Sequence, residues 1–320
     1  MRRGQVRVPL LARVTDWWSR NRRSPVASPL VRSVPVAADM AASSGLQDAA
    51  SRDWAGPLLR LAEVDTAASG SAEDSACVVK AATRALARFA EDPQRLPRRP
   101  QLLPQLLSTL NDDEASSRDI AGIIARDPAL AANLLKLANS ALYRHHAAPV
   151  ESLDRAVAMV GVDGLRHLVA VALMQPVMRM EGGVFGRLPD LIWDHTQRTA
   201  LVAAEIARTG GREEVFAAQL LALLQGLGAI VVVQVLRDVT AETALGLPDL
   251  EATAGLLHRW SPRLGCAVAR EWGLSERVMQ ALQEQETDDI ATASPLARAL
   301  ALAAPDASAA MEEPQVADVA

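Results

Sequence analysis

Several things are scarce in this chain, and each scarcity removes a class of protein. Lysine occurs only at Lys80 and Lys136, so the 33 basic residues are almost all arginine, as a high-GC coding bias produces without any binding role. The two cysteines, Cys77 and Cys266, lie far apart with no histidine at metal-ligand spacing, which excludes a disulfide scaffold and a zinc ribbon. Both sit in apolar helical patterns and are expected as buried thiols. No glycine-rich phosphate loop is present. The β-branched run "AIVVVQVL" at 229–236 has no second strand pattern to pair with. No Ser-His-Asp or Cys-His arrangement for nucleophilic catalysis can be picked out. The N-terminus lacks the uninterrupted apolar core of a secretory signal, so a cytoplasmic protein is expected.

What remains is helical. Aromatics are 3% of 320 residues, yet hydrophobic residues are 50%, because Ala, Leu and Val supply the apolar mass. Ala and Leu enter helical turns at least entropic cost, so the composition predicts an all-α fold. Val215 to Leu236 carries no charged residue and is long enough to cross a bilayer. Gln219, Gln225 and Gln234 would each need a partner in lipid, however, and Gly226 and Gly228 interrupt the run. A pair of buried core helices is expected there instead.

Charge is unevenly placed. Residues 1–35 hold eight arginines against Asp16, a net +7, which leaves −12 on the remainder of a chain with total charge −5. An acidic body argues against a nucleic-acid groove, which needs clustered cations. Residues 1–53, rich in Pro, Ser, Ala and Arg, are expected to be mostly disordered. Within them "PLLARVTDWWSR" puts Leu10, Val14, Trp17 and Trp18 on one helical face. Residues 8–23 therefore read either as a tail or short docked helix, which is favoured, or as a helix on an anionic membrane surface. Residues 54–99 form a helical extension ending in the proline-rich "EDPQRLPRRPQLLP". Within it Val78, Val79, Ala82, Leu86 and Phe89 share a face. Residues 291–320 read as an Ala-rich C-terminal tail.

Between about 100 and 290 the helix signals sharpen. Ser116 with Asp119 three residues on makes a capping-box start. Asp127 suits an N-cap and Pro128 the first helical position, where the missing amide hydrogen would be unpaired anyway. Ser152 starts a further helix that Gly161 can end. "DLIWDHTQRTALVAAEIARTGG" is amphipathic, with Ile192, Thr196, Thr199, Ala203 and Ile206 expected inward and Gly210 as terminator. Trp193, Trp260 and Trp272 are expected as core anchors. Asn139 and Ser140 close a leucine-rich helix, either bonding nearby backbone or forming part of a partner-binding groove. The adjacent His145-His146 pair cannot share a helical face and reads as exposed loop.

These motifs, taken in order, carry a resemblance. "LPQLLSTLNDDEASSRDIAGIIARDPALAANLLKLANSALY", then "ESLDRAVAMVGVDGLRHLV", "LIWDHTQRTALVAAEIA", "AAQLLALLQGLGAIVV" and "RLGCAVAREWGLSERVMQAL" resemble the HDOD domain, the HD-related output domain of bacterial signalling proteins. The resemblance covers about residues 100–287, with Val160 where that family usually has Leu. It implies an N-terminal helical bundle packed on a degenerate HD-type helical bundle, and a regulatory rather than catalytic role. Other signalling proteins are then the expected partners, no cofactor is expected, and a small ligand in the old HD cleft is the further option.

The same resemblance fixes where a metal centre would have been. HD phosphohydrolases hold a divalent ion with a His, a His-Asp pair and a distant Asp. His195 stands at the first of these positions. The pair falls on Gln225 and Gly226, of which one is a neutral amide and the other has no side chain. "GLLHRW" at 255–260 comes too late and has Arg259 in place of an acid; Glu284, Gln285 and Glu286 stand where a later His-rich element would be. The expectation is a protein that is not an enzyme, the alternative a residual metal-dependent phosphohydrolase acting on a nucleotide.

Overall fold

The computed structural model describes residues 53–64, 71–110, 116–126, 128–140, 183–208, 212–287 and 291–312, with isolated positions between 150 and 174. The helices are α1 (Ala55–Leu61), α2 (Ala72–Glu91), α3 (Leu103–Leu110), α4 (Ser117–Ile124), α5 (Pro128–Ala138), α6 (Leu188–Ala207), α7 (Arg212–Thr243), α8 (Leu250–Glu271), α9 (Glu276–Gln283) and α10 (Pro295–Glu312). Short 3-10 turns lie at Gly183–Phe185 and Glu284–Glu286. No strand occurs among the described residues, as the Ala/Leu composition requires. Asp127, Gly161, Gly210, His145, His146 and the basic segment 1–52 lie outside the described residues; Pro128 begins α5.

Helix starts follow the local chemistry. At Ser116 the hydroxyl accepts from the Asp119 N–H while the Asp119 carboxylate accepts from the Ser116 N–H, the expected capping box. A second box, not anticipated, joins Ser71 and Asp74 ahead of α2. Each satisfies two backbone donors that a helix start leaves unpaired. On α2 the buried face is Ser75, Val78, Ala82, Leu86 and Phe89, with Val79 at its edge.

The fold is organised around α7. Residues 215–236 form not a pair of helices but the middle of this single 32-residue helix, roughly 48 Å long at 1.5 Å per residue. It is apolar nearly all round, as a helix enclosed by others must be. The stretch Glu214–Thr243 is long and apolar enough to cross a membrane, yet 94% of its most apolar window is covered by the rest of the chain. α6 packs along one side of it and α8 along another, while α10 lies on α6.

Gly226 and Gly228 do not break α7, because helix propensity is outweighed here by what their bareness permits. A Cβ at Gly228 would lie 2.0 Å from the Ser261 carbonyl oxygen on α8. Facing it, a Cβ at Gly265 would lie 2.9 Å from the Leu224 carbonyl oxygen. The two helices therefore touch backbone to backbone. Ser261 precedes Pro262, which deprives the His258 carbonyl of its helical donor.

Three more expectations are corrected. The Ala-rich C-terminal stretch holds a core helix, α10, whose Leu296, Leu300, Ala303, Ala304 and Ala307 are buried. Ile206 is 37% exposed, because it falls past the end of the α6 stripe that meets α7. Cys77 is exposed and free on the outer face of α2, whereas Cys266 is buried and free.

Gly228→Ala is expected to destabilise by about 1–3 kcal/mol or more, since a methyl group is forced onto backbone that cannot rotate away. Gly255→Ala on the same α8 partner, where nothing lies within 4 Å of the new methyl, is expected to stabilise by up to about 1 kcal/mol through helix propensity. Urea unfolding of both variants checks the pair.

Candidate functional site

α6 carries His195 to a fully enclosed position beside α7, not to the edge of the inward face as its spacing suggests. Its ring is covered from two directions by parts of the chain remote in sequence. The Trp54 indole lies parallel on it, centroids 5.1 Å apart and planes 16° from parallel. From α10 the Ala304 carbonyl oxygen sits 2.9 Å from Nε2, so Nε2 carries the hydrogen and donates it. The Thr199 hydroxyl lies 3.4 Å from the same nitrogen. Burial pushes the imidazole down to about 4, only partly opposed by the Ala304 bond, so the ring is neutral near neutral pH.

The two α7 positions that would face it are arranged for contact between helices. Gly226 meets Thr196: a Cβ there would lie 2.1 Å from Thr196 Oγ1 and 2.5 Å from its methyl. The Thr196 hydroxyl is itself tied back to the Ile192 carbonyl at 2.6 Å. Gln225 is buried beside them. The gap left among Trp54, Ile192, His195, Thr196, Thr199, Ala222, Gln225 and Gly226 is about 10 Å³, at the lower limit for one water.

Trp54 is the functional residue that the sequence reading passed over. It precedes α1, and its place is set from both sides. Its carbonyl accepts from the Ser308 hydroxyl on α10 at 2.9 Å. Asp53 folds back over the start of α1, accepting from the Gly56 N–H at 2.8 Å. The same carboxylate is 2.8 Å from His258 Nε2 on α8, and the His258 ring meets the Trp54 indole edge-on. Partial burial raises the Asp53 carboxyl, but His258 and the α1 amides outweigh it and hold it below the usual range. Gly56 is required, since a Cβ there would lie 2.1 Å from Asp53 Oδ2. The signal that was available is the string Asp53-Trp54-Ala55-Gly56-Pro57-Leu58-Leu59, an acid followed by proline in a first turn and a doublet of leucines, both fully buried.

The remaining candidates sit apart from this cleft. Asn139 clips two segments together: its amide donates to the Leu135 carbonyl at 2.9 Å and the Val150 carbonyl at 2.7 Å, and its oxygen accepts from the Val150 N–H at 2.7 Å. Ser140 Oγ is buried with no partner among the described residues. Trp272 is fully buried, its indole donating to the Pro97 carbonyl while Arg99 caps its own carbonyl. Trp193 is half-buried on α6, and Trp260 is buried with an Arg263 guanidinium over its ring. Beside Trp193, burial raises the Asp194 carboxyl to about 6 against the pull of Arg198. Glu284, Gln285 and Glu286 hold structure: Glu284 accepts from Ser294, Gln285 donates to two carbonyls, and Glu286 pairs with Arg263.

With that geometry in place the comparisons fall into order. Residues 96–287 match the HDOD domain, and the chain belongs to that family. A Shewanella amazonensis SB2B protein provisionally named a phosphohydrolase is similar in structure, with TM-score 0.52 and 27% identity over 72% of this chain and 82% of that one. A second from the same organism, provisionally named a metal-dependent phosphohydrolase, shares the fold, with TM-score 0.50 and 19% identity over 76% and 86% of the two chains. An uncharacterized protein of Treponema pallidum (strain Nichols) is 24% identical over 209 residues, 63% of this chain and 39% of that relative's length. Trp54, Ala304 and Ser308, which enclose His195, all lie outside the matched segment.

Two expectations follow. Removing the Asn139 side chain by Asn139→Ala leaves the Val150 N–H and C=O unpaired and is expected to cost about 2–4 kcal/mol in urea unfolding. His195, held near 4 when folded against about 6.5 unfolded, contributes stability that is full above about 6.5 and lost as pH falls toward 4. His167 has the same depressed value, through burial, and acts in the same window. His195→Gln keeps a donor for Ala304 but no titrating group. Unfolding free energies at pH 7 and pH 5 are expected to differ less in this variant than in the wild type.

Proposed function

We propose that the protein is a non-catalytic regulatory module that works in the cytoplasm through contacts with other signalling proteins. The observation that carries this reading is the contact between Gly226 and Thr196. A metal-bridging carboxylate at 226 has no room, because its first carbon would fall within bonding distance of a threonine whose hydroxyl and backbone are both committed. His195 is equally committed, with Nε2 spoken for by a carbonyl and an indole across its face. Gln225 brings a neutral amide, a poor ligand for a divalent ion. The residues present do not fit a metal centre, and no hydrolytic step is derived through one.

Membership of the HDOD family supports a regulatory role, since the resemblance implies modules that pass signals rather than turn over substrate. The acidic body makes nucleic acid a poor partner. The second reading, a residual metal-dependent phosphohydrolase, is favoured by the provisional names of the two Shewanella proteins.

The test is turnover by the full chain with phosphomonoester, phosphodiester and nucleotide substrates, each with Mn²⁺, Mg²⁺ or Fe²⁺ added. No release of phosphate or alcohol above the buffer rate is expected, and no stoichiometric metal by elemental analysis. Turnover that disappears in His195→Ala, together with bound metal, would falsify the regulatory reading. The double variant Gln225→His/Gly226→Asp is expected to fold less stably and to gain no metal, because Thr196 occupies the space the aspartate needs.

A further inference from the structure

The enclosure of His195 is made of parts with very different holding strength. Leu58 and Leu59 of α1 are fully buried, each anchored by roughly 1.5–3 kcal/mol of apolar burial. Trp54 sits at the other end of the same short element, ahead of its first turn. What holds that end is one hydroxyl bond from Ser308 and the Asp53–His258 contact. Both residues of that contact are substantially solvent-exposed, and such pairs contribute about 0–1 kcal/mol. The ring can therefore leave while the leucines stay, with the bare Gly56 backbone between them as the place to bend.

The space the ring occupies has a definite chemistry. Its floor is the face of a neutral imidazole, its walls are Ile192 and Ala222, and its rim is the uncharged Thr196, Thr199 and Gln225. No lysine, arginine, aspartate or glutamate lines it. Such a slot favours a flat, uncharged ring that stacks on His195 and finds hydrogen-bonding groups at its edge. It disfavours phosphate, whose charge would be desolvated with nothing to offset it.

We propose that Trp54 is a cis-acting plug in the degenerate cleft, latched by Asp53 and His258, and that an uncharged planar heteroaromatic ring can take its place. The proposal rests on the non-catalytic reading only in treating the cleft as a binding slot, and its test involves no turnover, so the two fail separately. Exchange of the plug would move the start of α1 away from α8 and α10, giving a regulatory module a ligand-dependent change on its surface.

The experiment uses the full chain labelled with 5-fluorotryptophan, the Trp54 fluorine signal being assigned by its loss in Trp54→Phe. Wild type, Asp53→Ala and His258→Ala are compared by fluorine NMR with and without indole as the probe ring. In wild type the Trp54 signal is expected at a buried, shifted position. In both latch variants it is expected to move toward free fluorotryptophan, and indole is expected to drive it there saturably at one equivalent bound. The other five tryptophan signals report that the fold is intact. A Trp54 signal that stays buried in both variants and ignores indole overturns the plug. A signal released by the latch variants but insensitive to indole overturns the ring-binding slot.

Discussion

The missing side chain at Gly226 is the constraint from which the rest of the cleft follows. A helix residue with no Cβ lets its neighbour approach by the width of a methyl group, and Thr196 has taken that width. Once α6 and α7 close at this point, a bridging carboxylate is excluded by volume before any question of charge arises. The closure also removes the solvent that would have kept His195 hydrated, and a buried imidazole gives up its proton rather than its surroundings. Loss of the ligand set and loss of the cavity are one event seen from two sides.

Gly228 and Gly265 repeat the device one turn further on, between α7 and α8. Here the approach is backbone to backbone, which fixes the height of α8 against α7 and hence where His258 stands. His258 then faces Asp53, and Asp53 sets the end of α1. A chain of contacts thus runs from two glycines in the central helix to a tryptophan outside the matched family segment. The segment from 96 to 287 is accordingly not the whole packed unit: α1 before it and α10 after it share the same core.

Much of this was legible in residue order, and the failures have physical causes. The capping box at Ser116–Asp119, the buried stripe of α2 and the all-helical character of "AIVVVQVL" each follow from local chemistry that tertiary structure had no reason to override. Gly226 and Gly228 misled because glycine's low propensity is a local cost of about 1 kcal/mol each, while the contact it permits is with residues 30 or more positions away in sequence. The α10 stretch misled for a different reason. "PLARALALAAPDASAAME" has so many alanines that its buried and exposed faces differ little in hydrophobicity, and Pro305 interrupts the pattern. Its burial is decided by the flatness of alanine, which lets α10 lie close on α6. Trp54 was hidden by the same logic. One aromatic beside a proline-led turn carries no period, and its meaning lies in His195, 141 positions later.

Ring on ring is also a better seal for this cleft than an aliphatic plug. A leucine in place of Trp54 would cover part of the imidazole and leave its rim to water, which could then hydrate His195 and raise its proton affinity again. The indole spans the whole ring at 5.1 Å, and Ala304 holds the remaining nitrogen. Between them they fix one tautomer and one orientation of a side chain that, in a metalloenzyme, must present its lone pair outward. A histidine whose donor is engaged inward cannot also coordinate through that atom. The position once suited to chemistry has become a place where two ends of the chain are pinned to its centre.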